Sequence, residues 1–423
     1  MIFKKENINN ICSNYLKPLW LQTSKDFPDK LSEIFAEDVK IKNEAFMQDT
    51  GDKMSEHFEK MNSKQMKLFP FYRKKWGQRM EELMKEFFIE EPVLGIRSYL
   101  SLDTLTDVMV QLKKFLSLAR KFDPDLTVAD LGQAVRNYLV YTMFLEMLDK
   151  KQSCTSAIFG YSMLYPITDN FIDSKKSIEE KREYNNLIQD KIKGMPTKEL
   201  SIHDTQTCRL LSEIEATYPR DSYEDIYGGL LQMLEAQRES LIQQKDDKIL
   251  SMEERLDISL YKGGVSVLID RYMADEDVDE ADMIFYLGFG FVLQLADDLQ
   301  DITSDLTEHS QTLFTLEQEY DKTEMLVNQL INFTHQLFSN HKTEKEHFQR
   351  FMLRCSIYLI LMSVQMSQEH FHKEYLQKLE NYFPVHFEFL NHYIKNSALY
   401  PEGLKEEDFL RGLDFYLNMG TTA

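Results

Sequence analysis

Residues Phe289 to Asp301 read FGFVLQLADDLQD, an apolar helical stretch that ends in three carboxylates. Asp297 and Asp301 are one helical turn apart, and Asp305 follows four residues later. Along a helix, steps of four drift by only about 40° and climb about 6 Å, so the three acids line one strip. Carboxylates at the end of a core helix are costly unless they bind a cation or take up a proton. Hard oxygen ligands of this kind suit Mg²⁺, which keeps several waters and binds one or two carboxylates together with a substrate phosphate. The competing reading is a solvated acidic helix end, common in a chain with 70 Asp and Glu.

A second constellation strengthens the metal reading. Residues Tyr161 to Ser174 read YSMLYPITDNFIDS, again apolar and helical until Asp169 and Asp173, which are four apart. Two such helices could face their acids across one pocket and hold several metal ions on a single polyphosphate. The stretch between them is long enough for several helices that return antiparallel. Asp298 points off the main strip and is expected to support the ligands rather than bind metal.

The run Phe289 to Asp301 resembles the second aspartate-rich signature of trans-isoprenyl diphosphate synthases, without a mismatch. The first motif, Asp169-Asn170-Phe171-Ile172-Asp173, departs from that family's DDxxD at Asn170. Its Asp-x-x-x-Asp spacing is similar to the first motif of squalene and phytoene synthases. Asp297, Asp301 and Asp305 also fall where terpene cyclases carry the Asn, Ser and Glu of their second metal motif. The resemblance implies the all-α fold of the class I isoprenoid synthases, an antiparallel helical bundle with extra N- and C-terminal helices here. It also implies more than one Mg²⁺ ion and an allylic isoprenyl diphosphate substrate.

Weaker echoes lie between the motifs. Leu234 to Leu241 resembles the Gly-Gln-x-x-Asp segment of prenyl synthases, with Gln237 in place and Ser240 where the Asp would be. Tyr261-Lys262-Gly263-Gly264-Val265-Ser266 lies where those enzymes put a Lys-Thr pair and where terpene cyclases break a helix. Two glycines inside a helical pattern cost roughly 1 kcal/mol each against alanine, so they mark either a broken turn that frees carbonyls or close helix packing. Arg238 and Lys262 are the candidate diphosphate-holding cations, with Gln237 and Gln294 as further substrate-binding residues.

The elements that must position these groups are helical. The chain has 15 Gly and 10 Pro in 423 residues, with Leu, Met, Phe, Lys and Glu at helical spacing and no alternating strand pattern. The spacing predicts a core from 127 to 338 carrying both acidic motifs, an N-terminal extension over 1–126 and C-terminal helices over 339–423. Breaks are expected at Lys193-Gly194-Met195-Pro196, Tyr218-Pro219-Arg220-Asp221 and Met273-Ala274-Asp275-Glu276. A single helix is expected from about Glu280 to Asp305, and Phe351 to Met366 should be buried. Gly288 and Gly290 have no strand before them, so helix packing is their expected role. Asp275 to Asp279 is no calcium loop, because Glu280 stands at its sixth position and Tyr286 at its twelfth.

A formal net charge of -21 argues against nucleic acid and anionic membrane surfaces as partners, since those require clustered Lys and Arg rather than a surplus of acids. Mg²⁺ would reverse that charge locally for a diphosphate. Cys12, Cys154, Cys208 and Cys355 show no zinc spacing and read as reduced thiols. No apolar run reaches the length of about 20 residues needed to span a bilayer, and the first ten residues lack a signal-peptide core. The expected location is the cytoplasm, and a homodimer stays open.

The expected reaction is ionisation of the allylic diphosphate by a class I terpene synthase. Asp169 and Asp173 would hold metal from one side, and Asp297, Asp301 and Asp305 from the other. Chain-elongating synthases carry a basic site for isopentenyl diphosphate that this chain lacks, having only Lys175-Lys176 after Asp173. Head-to-head condensation is the enzymatic alternative, and a catalytically silent helical scaffold is the alternative of another class.

Overall fold

A computed structural model describes residues 2–29, 31, 33–62, 70–172, 176–198, 201–244, 248–316, 319–397 and 404–418. All regular structure among them is helical, with no strand, as the sequence pattern predicts. Helices α1 (Lys5–Ile11) and α2 (Lys17–Gln22) flank a π-helical turn, and α3 (Glu37–Glu59) and α4 (Pro70–Glu90) form an antiparallel pair. Then come α5 (Leu102–Phe122), α6 (Val128–Met147), α7 (Ser156–Ile172), α8 (Ile178–Ile192), α9 (Ile202–Thr217) and α10 (Glu224–Ser240). Two long central helices follow, α11 (Met252–Ala274) and α12 (Glu280–Gln300), and then the short α13 (Ile302–Thr307). The chain closes with α14 (Tyr320–Asn340), α15 (Glu346–Met366), α16 (Lys373–Glu380), α17 (Phe387–Ser397) and α18 (Glu406–Asn418).

The starts of these helices are written locally. Thr127, Ser177, Ser201 and Ser251 each accept from the backbone three residues on, while Asp130, Glu180, Asp204 and Glu254 reach back to the capping residue. The expected breaks at Lys193–Pro196, Tyr218–Asp221 and Met273–Glu276 fall between α8 and α9, α9 and α10, and α11 and α12. Phe351 to Met366 lies within α15, and Phe351, Met352, Ile360, Leu361 and Val364 are buried there.

α11 and α12 run antiparallel in backbone contact. A Cβ on Gly263 would sit 2.4 Å from the Gly290 carbonyl oxygen, and one on Gly290 2.1 Å from that of Gly263. Gly264 abuts Leu287, and Gly288 abuts Leu337 of α14. The paired glycines therefore serve close packing, and α11 continues through them without the broken turn that was the other reading.

One hydrophobic core runs from Phe3 to Leu390. Trp20 is fully buried, with its ring edge-on to Phe291 at 5.2 Å and to Phe333 at 5.6 Å, and Gln329 of α14 donates to its carbonyl. Residues 2–22 are thus part of the same core as α12. A second, smaller cluster joins Phe58 and Trp76 of the α3/α4 pair to Phe409 and Phe415 of α18.

Candidate metal centre

The acidic end of α12 forms one wall of a pocket of about 280 Å³. Gln294, Asp297, Asp298, Asp301 and Asp305 line it from the α12–α13 side, and Ile258, Ser259 and Lys262 from α11. The predicted helix does not run unbroken to Asp305. It stops at Gln300, Asp301 adopts φ −99° and ψ 15°, and α13 resumes at Ile302. The break leaves the strip intact, because the Asp301 amide donates to Asp297 and the Asp305 amide to Asp301.

The buried member of the set is Asp298, only 7% exposed, whereas Asp297 faces solvent. Gln294 Nε2 donates to one Asp298 carboxylate oxygen at 2.8 Å, and Ser259 Oγ to the other at 3.4 Å. The glycine contact explains the burial. With α11 so close to α12, the side of α12 that a lone helix would show to water is covered by Ser259. Asp298 therefore lines the pocket itself, beside the strip of Asp297, Asp301 and Asp305.

Burial and mutual repulsion both act on the carboxyls of the pocket. Burial raises the Asp298 carboxyl to about 7 against the pull of Gln294 and Lys262. Burial raises Asp305 to about 7 as well, helped by the charges of Asp298 and Asp301. Asp301 is raised by burial and then by Asp297, while Arg136 of α6 acts the other way. Lys262 makes no hydrogen bond or ion pair among the described residues. No three of the pocket aspartates bring ligand atoms within 4.8 Å of one another. The group that does so is Asp321, Glu324 and His372, at the start of α14 and just before α16. There the Glu324 carboxylate already accepts from the His372 amide at 2.8 Å and pairs with Nδ1 at 3.0 Å, which accounts for the cluster without a metal.

The far wall of the pocket is made by loops, and one arginine holds them. Arg255, 4% exposed, donates to the carbonyls of Leu250 and Thr312 and to Gln311 Oε1. Gln311 exchanges backbone and side-chain bonds with Gln243, and both Gln243 and Thr312 line the pocket. Sequence reasoning missed Arg255, Gln243, Ser259 and Thr312. No motif marks them, because their partners are carbonyls and side chains distant in the chain.

The other predicted residues land as follows. Gln237 and Arg238 lie on the last turn of α10, just before the pocket's Ser240, and are not among its lining residues; Arg238 donates to the Asn185 carbonyl of α8. Asp169 lies on the last turn of α7, but its side chain is outside what the structure describes, and Asp173 falls outside the described residues. The register of their helix is nevertheless defined. Asn137 of α6 donates to Ser162 of α7 and to Asp270 of α11, Tyr161 donates to the Ser266 carbonyl, and Asn170 donates to Asp130. α7 therefore runs antiparallel to α6 and α11 and ends where α6 and α11 begin. That is the end of the bundle where α11 carries Ser259 and Lys262 of the pocket.

Comparison with protein-family models, curated proteins and solved structures returns no match to this chain. No helix among the described residues is long and apolar enough to cross a membrane.

Proposed function

We propose that this chain is a Mg²⁺-dependent class I terpene synthase of the cytoplasm, which ionises an allylic isoprenyl diphosphate and releases diphosphate and a terpene. The observation that carries the reading is the pocket shared by Asp297, Asp298, Asp301, Asp305 and Lys262, in which two carboxyls are raised to about 7. A donor set of four carboxylates with Gln294 and Thr312 fits a hard divalent cation, which repays the cost of gathering like charges. When bound, Mg²⁺ supplies the positive charge that makes diphosphate a good leaving group.

The chain's own groups have separate tasks. Asp297, Asp301 and Asp305 would hold cations at the pocket rim, and Asp298, its plane fixed by Gln294 and Ser259, would do so from its floor. Asp169 and Asp173 are assigned to the opposite side by their motif. The Lys262 ammonium draws in a phosphate oxygen. Breaking the allylic carbon–oxygen bond sends the electron pair to the diphosphate and leaves a carbocation on the chain. Transfer of a proton from that cation to the released diphosphate completes the terpene. The pocket of about 280 Å³ is lined chiefly by polar groups, which suits the diphosphate end of such a substrate.

The test is incubation with allylic diphosphates of increasing length and Mg²⁺, with and without isopentenyl diphosphate. Hydrocarbon from one diphosphate alone is expected. Extension only when isopentenyl diphosphate is present would replace the cyclase by a chain elongator, and consumption of no diphosphate in either arm would remove the enzyme reading.

A further inference from the structure

α13 is only six residues long, yet it is the element that places Asp305 on the acidic pocket. Because the backbone turns aside at Asp301, the run of α12 does not by itself decide how α13 is rotated about its axis. Its neighbours must decide it. At about 100° per residue, Ile302 lies roughly 60° around α13 from Asp305, and Thr303 roughly 160° away, almost directly behind it.

Each of these directions has an occupant. Ile302 is buried in the main core, and Asp305 faces the pocket that it lines with Thr312. On the rear, the Thr303 hydroxyl meets a Glu369 carboxylate oxygen and, at 2.9 Å, His370 Nε2. A hydroxyl has one proton and a carboxylate can only accept, so that proton goes to Glu369 and His370 presents Nε2–H to the Thr303 oxygen.

Both partners stand on a firm footing, the 3₁₀ turn Gln368–His370 between α15 and α16. Before it, buried Ser367 donates to the Ser363 carbonyl of α15 and accepts from the His370 amide at 3.0 Å. After it, buried Phe371 stacks on Tyr375, and the His372 amide donates to Glu324 of α14. A turn tied to two long helices has little freedom of its own. Thr303 is exposed and the Glu369 side chain is 52% exposed, so the bonds between them add little to folding stability. Their effect is on direction.

We propose that Thr303, held by Glu369 and His370, is a positioning residue of the metal centre: it sets the rotation of α13 and so aims the Asp305 carboxylate at the cation site lined by Asp297 and Asp301. The proposal rests on the metal reading given above. Groups that orient a ligating carboxylate govern affinity without touching the ion, because a ligand that must be turned into place pays for that order on binding.

The experiment is calorimetric titration of the full chain with Mg²⁺ and inorganic pyrophosphate, beside backbone hydrogen exchange over residues 302–308 without metal. Thr303→Val, of the same shape and equally β-branched, should weaken binding about ten-fold and speed that exchange, at an unchanged melting temperature. His370→Ala should do the same from the other side of the bond, whereas Thr303→Ser, which keeps the hydroxyl, should bind as the parent does. Added to Asp305→Asn, Thr303→Val should cost nothing further, since the hydroxyl acts through that carboxylate. Equal binding by the parent, Thr303→Val and His370→Ala overturns the proposal and leaves the metal reading standing, whereas no binding by the parent overturns both. A loss shared by Thr303→Ser, a lowered melting temperature in Thr303→Val, or a further loss on top of Asp305→Asn would make Thr303 a packing residue and overturn the proposal alone.

Discussion

Gly263 and Gly290 face each other with no room for a methyl group on either, a Cβ on Gly290 falling 2.1 Å from the Gly263 carbonyl oxygen. The obstruction is backbone, so a side chain there can be accommodated only by parting α11 from α12. Gly290→Ala is expected to cost about 3 kcal/mol or more as overpacking that cannot relax. It should also lower affinity for Mg²⁺ with inorganic pyrophosphate, because Ser259 and Lys262 would retreat from Asp298. Chemical denaturation and a pyrophosphate titration check both parts; an unchanged midpoint contradicts the contact.

Burial governs the pH response of the acidic pocket. Asp298 and Asp305 are raised to about 7, whereas an unfolded Asp titrates near 3.8. Between those values the folded chain holds more protons than the unfolded one, so these two groups make stability fall as pH rises through that window and level off above it. Buried His57 and half-buried His335 and His341 have values lowered by desolvation and act in the opposite sense. Comparing the parent with the double variant D298N/D305N cancels their contribution. The variant's advantage in melting temperature should grow from about pH 5 to about pH 8. A constant difference would mean that the carboxyls are not held back from ionising.

Metal should restore what burial costs. Mg²⁺ with inorganic pyrophosphate is expected to raise the melting temperature of the parent by mass action. The rise should be lost in Asp297→Ala and Asp301→Ala, which leave the apo fold intact. A silent scaffold would show no rise in the parent.

Turnover supplies a separate check on the two acidic helices. Asp169→Ala and Asp297→Ala are each expected to abolish consumption of an allylic diphosphate without unfolding the chain. Full turnover in both would discard the site assignment.

Arg255 holds the loop wall of the pocket through four acceptors, the carbonyls of Leu250 and Thr312 and the side chains of Thr315 and Gln311. Arg255→Met keeps the stem but leaves buried carbonyls unpaired, at a cost of about 3 kcal/mol. Proteolysis within residues 241–251 or 310–316 should accelerate in this variant, while cleavage elsewhere stays slow.

Local chemistry was the part of this molecule open to sequence reasoning. Ser251 with Glu254 announces the start of α11, Gly194-Met195-Pro196 announces a turn, and Asp297, Asp301 and Asp305 announce a strip that does line one pocket. Reasoning from a straight, isolated α12 then misjudged what its neighbours do. It carried the helix through Asp301, where the backbone turns aside, and it placed Asp298 off the strip without seeing that Asp298 lines the same pocket. Which side of a helix is wet depends on how near the next helix comes, and here two glycines far apart in the chain decide that. Arg255 was invisible for the same reason, as its worth lies in carbonyls of remote loops.

Trp20 sits against Phe291 and Phe333, which leave the ribosome long after it. During translation the segment around it can find no permanent resting place until most of the polypeptide has been made. Such late closure predicts slow maturation and a sustained demand for chaperones, and it makes deletion of this segment a defect in assembly rather than the trimming of an ornament.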